Sequence, residues 1–249
     1  MGLWGRYAGA RKDLVRTAFD VYRGVERRLS PSISTPPSGF GAGRSYQQVE
    51  VTEPYVAITF DDGPHPENTP RLLDILAARR VRATFYLIGE PVTRHPDVVR
   101  RTVAEGHEVG SHTWSHRFLT TQTSHSIVQE LTRTDEAIQD AIGAPPTTLR
   151  PPYGAVTKGM SRWIDHQFGY PTVLWSVSAR DWDDPGAKVI ADRLVSLTTP
   201  GSIILNHDPL TPTVDAMAET LDRLLEKGFR FVTVSELIAI GASSGKEPM

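Results

Sequence analysis

The sequence predicts an α/β fold of parallel strands joined by helices, and two observations carry that prediction. Short apolar runs alternate with helix-patterned stretches over about 190 residues, from near residue 53 to near residue 240. The unusual polar residues also fall at or just beyond the ends of those runs. Asp61 and Asp62 follow the first, His112 and His116 the third, Arg150 ends the fourth, Asp181 and Trp182 lie beyond the fifth, and His207 follows the sixth. Alternation alone permits either an open doubly wound sheet or a barrel. A β/α barrel gathers the C-terminal ends of its strands on one rim, so the placement of these residues favours the barrel.

The first element expected is an amphipathic helix over residues 13–29, where Leu14, Ala18, Val21, Tyr22, Val25 and Leu29 recur at three- and four-residue steps. Its remaining surface is charged, with Arg11, Lys12, Arg16, Arg23, Arg27 and Arg28 outweighing Asp13, Asp20 and Glu26. Residues 1–29 therefore read as a helix laid on the protein's own surface, with peripheral membrane contact as the competing reading. Residues 30–43 are rich in Ser, Pro and Gly and read as a linker or extended wrap. Three parts are expected: an extension over 1–47, one main domain over 48–240 and a short tail over 241–249.

Within the main domain, strands are expected at 55–60, 83–88, 108–111, 148–150, 172–176, 202–206 and 230–233. Helices are expected at 69–80, 96–105, 124–142, 158–168, 187–198 and 213–227. Gly106, Gly143, Gly169 and Gly228 stand where helix C-termini favour glycine.

Composition narrows the function classes. A chain of 249 residues suits one large domain better than two small ones. The net charge of −2 offers no global basic field to hold a nucleic-acid backbone or an anionic membrane. With no cysteine there are no disulfides and no thiolate ligands, so a metal here is held by nitrogen and oxygen. The N-terminus lacks the continuous apolar core of a signal peptide, and no run of about 20 apolar residues occurs. As written the chain reads as cytoplasmic, or as secreted or cell-envelope if a signal has been removed. Its oligomeric state is not legible.

The chemistry concentrates in a few motifs. In TFDDGP, residues 59–64, Gly63 and Pro64 are expected to turn the chain sharply and hold both carboxylates at the strand's mouth. His112 and His116, four apart in SHTWSH, would project from one side of a helical turn at a separation that one ion can bridge. Either Asp61 or Asp62 could complete a two-His, one-carboxylate set with open positions for water and a substrate oxygen. The remaining carboxylate is then available as a base, the division of labour that a metal-assisted hydrolase needs.

Five ordered segments make the chain resemble the polysaccharide deacetylases of carbohydrate esterase family 4, which share the nodulation-deacetylase homology domain. They are TFDDG at 59–63, HTWSH at 112–116, RPPYG at 150–154, DW at 181–182 and LNH at 205–207. The resemblance runs across roughly residues 53–240 and implies a distorted barrel of (β/α)7 type, here with an N-terminal helical extension. It implies Asp61 as general base, with Arg150 as its positive neighbour, and Asp62, His112 and His116 as metal ligands. It further implies an oxyanion donor in the backbone N–H of Tyr153, and His207 as general acid held in the useful tautomer by Asp181. Trp182, Leu205 and Tyr153 would shape the substrate pocket, Leu205 against the acetyl methyl and Trp182 against the sugar face.

The expected activity is metal-dependent removal of N-acetyl groups from N-acetylglucosamine-containing glycans, chitooligosaccharide or peptidoglycan, with release of acetate. Zinc leads among the divalent ions, with cobalt or nickel as alternatives. Three other readings compete: an O-acetyl esterase acting on xylan, a cyclic amide or imide hydrolase of the same superfamily, and a non-catalytic glycan-binding protein. His65, His95, His107, His125 and His166 are assigned no role in catalysis, and His107, just before a strand, reads as structural.

Overall fold

The structure, a computed structural model, describes residues 43–243. The helix expected over 13–29 and almost all of the linker over 30–43 lie outside the described residues, as does the chain from 244 onward.

Strand β2 (Tyr55–Gly63) is the hub of the sheet, and every residue in it after Tyr55 is buried. It pairs in parallel with β3 (Thr84–Leu87), β7 (Ile203–His207) and β8 (Arg230–Phe231). Adding β4 (Glu108–Ser111) beside β3 and β6 (Val177–Ser178) beside β7 gives the order β4-β3-β2-β7-β6. Parallel neighbours require crossovers, and helices supply them. Helix α1 (Asn68–Ala78) joins β2 to β3, and α2 (Gly89–Arg94) and α3 (Pro96–Ala104) join β3 to β4. Beyond β4 come α4 (Ser124–Ile142) and α5 (Lys158–Phe168), then α6 (Ala187–Leu197) before β7 and α7 (Thr211–Glu226) after it. A last helix, α8 (Val234–Ser243), follows β8.

Burial on both faces explains why the strands read as nearly continuous apolar runs. Residues at alternate positions serve different cores. Ala57, Tyr86 and Ile203 point inward and pack with Val232, Val234 and Leu237. Ile58, Phe60, Phe85 and Ile204 point outward beneath the helices, where Phe60 and Phe85 stack at 5.3 Å between ring centroids. Inward positions two and four residues further along are Thr59 and Asp61 on β2 and Leu205 and His207 on β7, so the inner face ends in polar groups at the rim.

Beyond β4 the curl continues through single bridges, Ser111 to Leu149 and Leu149 to Thr172, and reaches β5 (Thr172–Val173) and its partner β1 (Ser45–Tyr46). Residues 172–178 meet Leu149 at one end, where Val173 N–H donates to the Leu149 carbonyl at 2.7 Å. At the other end Ser176 N–H donates to the Ile203 carbonyl of β7 at 3.1 Å. The arrangement is a distorted barrel with one irregular sector; among the described residues the ladders do not close into a continuous cylinder.

Several expected elements changed in extent, for identifiable reasons. The strand expected at 148–150 is reduced to bridges at Leu149, and that at 172–176 is shortened to β5, with β6 beginning just past its expected end. Pro151, Pro152 and Pro171 flank these segments, and a residue without an N–H cannot extend a ladder. Strand β2 runs three residues beyond its expected end because β3 and β7 keep pairing with it: Asp61 lies opposite both Tyr86 and His207. Helix α2 has six residues, too few to set up a period, and α8 is apolar almost throughout. Yet Thr233 and Glu236 form a reciprocal capping box ahead of α8, with Glu236 N–H donating to Thr233 Oγ1 and Thr233 N–H to Glu236 Oε2. That signature was legible in TVSE. No helix among the described residues is long and apolar enough to cross a membrane.

Candidate active site

Asp61 and Asp62 sit on the last residues of β2 rather than in a turn after it. Side chains of successive strand residues normally point to opposite faces, which would separate the two carboxylates. Here the register with β3 shifts between Asp61 and Gly63, and Asp62 adopts a left-handed backbone with φ 75°. This bulge re-aims Asp62, so that both carboxylates serve the rim.

The two carboxylates have different partners. Asp61 Oδ1 accepts from Arg150 Nη1 at 2.8 Å. Arg150 is fully buried. Its guanidinium is fixed on every side: Nη1 also donates to Thr59 Oγ1 at 2.5 Å, Nε to the Val173 carbonyl at 3.3 Å and Nη2 to the Leu174 carbonyl at 3.0 Å. Its plane lies over Tyr86, 4.2 Å from the ring centroid. A buried cation with its donors satisfied gives Asp61 a permanent counter-charge.

Asp62 faces the two histidines. His112 Nε2 and His116 Nε2 lie 3.3 and 3.2 Å from the same oxygen, Asp62 Oδ1. Among the described residues these three form the one cluster whose potential ligand atoms all lie within 4.8 Å of one another, and all three residues are buried. His112 Nδ1 contacts the Arg150 carbonyl at 2.6 Å. A carbonyl only accepts, so Nδ1 carries a proton, and in the neutral ring Nε2 is the nitrogen left to face Asp62 as a ligand. A buried carboxylate oxygen and imidazole nitrogens converging on one point fit a cation, and the nitrogen and oxygen donor set fits a divalent ion of the zinc, cobalt or nickel type.

The histidines do not stand on a helical turn, contrary to the expectation from their spacing. Residues 112–116 form a loop in which Thr113 and His116 have φ of 67° and 55°. Left-handed residues break a helix, and a four-residue spacing cannot distinguish the two geometries. The rings still approach, with centroids 4.9 Å apart.

Opposite Asp61 on the neighbouring strand stands His207. Its Nδ1 is 2.9 Å from Asp181 Oδ1, and its own backbone N–H donates to Asp181 Oδ2 at 2.8 Å. Thr213 Oγ1 donates to that second oxygen as well, at 2.8 Å. Burial alone would raise the Asp181 pKa, but the positive charge of His207 and these hydrogen bonds outweigh it and hold the carboxyl below its ordinary value. The Trp182 ring meets His207 edge-on at 5.6 Å, and Leu205 is buried on the same strand face as His207.

Tyr153 lies in the turn Pro152–Gly154 with φ 62°. Phe118 stacks on its ring at 4.0 Å and His116 meets its edge at 4.6 Å, which steadies an otherwise unfavourable backbone. Gly154 has φ 66°, and a Cβ there would come within 2.9 Å of the Trp175 ring, so the close approach it permits is to that indole.

The structure thus brings together Asp61, Asp62, His112, His116, Arg150, Tyr153, Asp181, Trp182, Leu205 and His207 at the strand ends. The sequence reading missed Asp208, which is fully buried beside His207. Thr69 Oγ1 donates to its Oδ2, and a Cβ on Gly63 would lie 2.5 Å from that oxygen. Burial pushes its carboxyl up to about 7, and the charges of Asp62 and Asp61 add to the effect. An Asp directly after the histidine of the fifth motif was the available signal.

A family profile described as polysaccharide deacetylase matches residues 48–173. The chain is 38% identical over 228 residues to the peptidoglycan-N-acetylglucosamine deacetylase PgdA of Listeria monocytogenes, covering 92% of this chain and 46% of that protein. It therefore spans about half the length of that relative. It is 39% identical over 186 residues to a chitooligosaccharide deacetylase of Rhizobium leguminosarum bv. trifolii, covering 74% of this chain and 83% of that one. Its fold is similar to the crystal structure of the Bc1960 peptidoglycan N-acetylglucosamine deacetylase, with a TM-score of 0.76 and 34% identity, covering 79% of this chain and 94% of that one.

Proposed function

The chain belongs to the polysaccharide deacetylase family, and from that premise we propose that it is a metal-dependent hydrolase removing acetyl groups from N-acetylglucosamine units of a glycan. The observation that carries this reading is the unequal treatment of two adjacent carboxylates: Asp61 is held by a buried guanidinium, whereas Asp62 faces two imidazoles. One is equipped to take a proton and the other to hold a cation. By their names, PgdA acts on the N-acetylglucosamine of peptidoglycan and the Rhizobium relative on chitooligosaccharides, and the N-acetylglucosamine unit is the proposed substrate. In this reading residues 48–240 form the catalytic unit, flanked by 1–47 and 241–249.

Asp62, His112 and His116 would hold the ion. A bound divalent cation would polarise the acetyl carbonyl and acidify water in the site. Asp61 Oδ2, 3.7 Å from His112 Nε2, is the carboxylate oxygen turned towards the ligand cluster and is placed to take the proton of the attacking water. Arg150 keeps Asp61 in position through Oδ1 and leaves Oδ2 for this task. The backbone N–H of Tyr153 would donate to the oxyanion as the carbonyl becomes tetrahedral. His207, with Nδ1 committed to Asp181, presents Nε2 for donating a proton to the leaving amine, and the anionic Asp181 stabilises the charged ring before transfer. Leu205 and Trp182 would bound the acetyl group and the sugar face.

The test is acetate release from N-acetylglucosamine oligomers, peptidoglycan and acetylated xylan by protein stripped with chelator and resupplied with zinc, cobalt or nickel. Metal-dependent release from the two aminosugar substrates supports the proposal and ranks them. Release from xylan alone would transfer the assignment to an O-acetyl esterase. No release from any substrate would contradict it.

A further inference from the structure

The two proposed histidine ligands are held by different parts of the fold. His112 immediately follows β4, its N–H donates to the Leu87 carbonyl at 2.8 Å, and its ring is fixed by the Arg150 carbonyl. The strand ladder therefore sets His112. His116 lies at the far end of a loop that contains two left-handed residues and pairs with no strand.

Three anchors shape that loop. The first two N–H groups of α2, from Gly89 and Glu90, donate to the carbonyls of Thr113 and Trp114 at 3.0 and 3.2 Å. These fix the loop's first half. Glu130 of α4 then takes both donors of Ser115, the backbone N–H at 2.8 Å and the hydroxyl at 2.6 Å, one on each carboxylate oxygen. Finally His116 N–H donates to Thr113 Oγ1 at 3.2 Å. Helix α4 is itself seated against the same region: Thr134 and Trp114 both pack on Gly89, where a Cβ would lie within 2.8 Å of each, and Arg133 lies over the Trp114 ring at 3.9 Å.

We propose that Glu130 is a positioning residue for the metal site, fixing His116 through its two-point grip on Ser115 and thereby setting the affinity for the divalent ion. The proposal rests on the metal reading of Asp62, His112 and His116 given above. The lever of Glu130 is Ser115, the residue immediately before His116. Charge-assisted hydrogen bonds to both donors of one residue leave that residue little freedom, and His116 inherits the restriction.

The experiment measures zinc affinity by competition with a chromophoric chelator on metal-stripped full-length protein, together with melting temperatures with and without zinc. The set is wild type, Glu130→Ala, Glu130→Gln, Ser115→Ala and, as a control on an exposed position of the same helix, Glu136→Gln. Wild type and Glu136→Gln are expected to bind one zinc per chain with equal affinity. Glu130→Ala should bind about 10-fold or more weakly, as loss of a group supporting a ligand does. Glu130→Gln and Ser115→Ala should fall between, with metal-free melting temperatures close to that of wild type and a smaller upward shift on adding zinc. Unchanged affinity in Glu130→Ala would overturn the proposal while leaving the metal reading intact. So would an affinity loss matched by a fall in metal-free melting temperature and absent at low temperature, since the role would then be structural. Failure of wild type to bind zinc, cobalt or nickel is a separate result that would remove the metal reading and the proposal with it.

Discussion

His107 and His112 flank the four-residue strand β4, one at each end, and the fold gives their imidazoles opposite surroundings. At the N-terminal end, His107 Nδ1 accepts the Ala83 N–H at 3.1 Å and the ring lies edge-on to Phe85 at 5.4 Å. Burial holds its pKa down at about 4, so the ring stays neutral and serves the chain around it. At the C-terminal end, His112 Nδ1 faces a carbonyl instead, and Nε2 is turned towards two carboxylates. Neighbouring groups repeat the contrast. Beside His107, Glu108 is satisfied by Thr84 Oγ1 at 3.0 Å and by the Ser235 N–H and hydroxyl at 3.0 and 2.7 Å, closing α8 onto the sheet. Beside His112, Asp62, Thr113 and His116 all hold left-handed backbones, and potential ligand atoms crowd together. At the His107 end, His107 and Glu108 are both paired within the fold. Convergent groups on strained backbone mark the end proposed to act.

The largest expected effects separate two roles at the acting end. His112→Ala should lose both metal binding and turnover, whereas Asp61→Asn should bind metal normally and lose turnover by roughly 100- to 10,000-fold, the range of a general base. Metal stoichiometry beside acetate release distinguishes them, and substantial activity in Asp61→Asn would remove Asp61 as the base. Somewhat smaller is the effect of His207→Ala, which should slow amide cleavage by about 100-fold or more yet spare an activated ester whose leaving group needs no proton. Equal losses on both substrates would argue against the acid role.

At the opposite end the effects move to stability. His107→Ala leaves the Ala83 N–H without its buried acceptor and should cost about 1–3 kcal/mol in unfolding free energy, with metal affinity unchanged. Its pH dependence has a definite sign. Because the folded ring titrates near 4 and the unfolded one near its ordinary 6.5, the unfolded chain binds more protons between those values. The contribution of His107 is therefore present above about 6.5 and fades as the pH falls towards 4, a slope that His107→Ala should flatten in denaturant titrations. Smallest is Glu108→Gln, which keeps some of the hydrogen bonds and should lower stability by about 1 kcal/mol with turnover intact. A change in metal affinity in either variant would break the division between the two ends.

The sequence made much of this architecture legible because its signals were chemical or strongly periodic. Helices α4 and α5 match their expected spans, bounded by Thr123 and Thr157 as N-caps and by Gly143 and Gly169 in left-handed C-caps. All ten residues nominated for the site were brought to one rim, since spacing after strand ends is a topological property that residue order preserves. Backbone strain was not legible. Asp62, Thr113, His116 and Tyr153 take positive φ without being glycine, and tertiary contacts rather than local preference hold them there. That is why His112 and His116 suggested a helical turn and why the bulge at Asp62 went unseen. Glu130 and Asp208 escaped notice because their hydrogen-bond partners, Ser115 and Thr69, lie far along the chain.

The most direct test of the account is a zinc titration of three metal-stripped proteins, wild type, His107→Ala and His112→Ala, each checked for folding by circular dichroism. One tightly bound ion per chain in wild type and His107→Ala, with none in a folded His112→Ala, is the predicted result. Equal binding by all three, or no binding by wild type, would contradict the assignment of the metal site to the C-terminal end of β4.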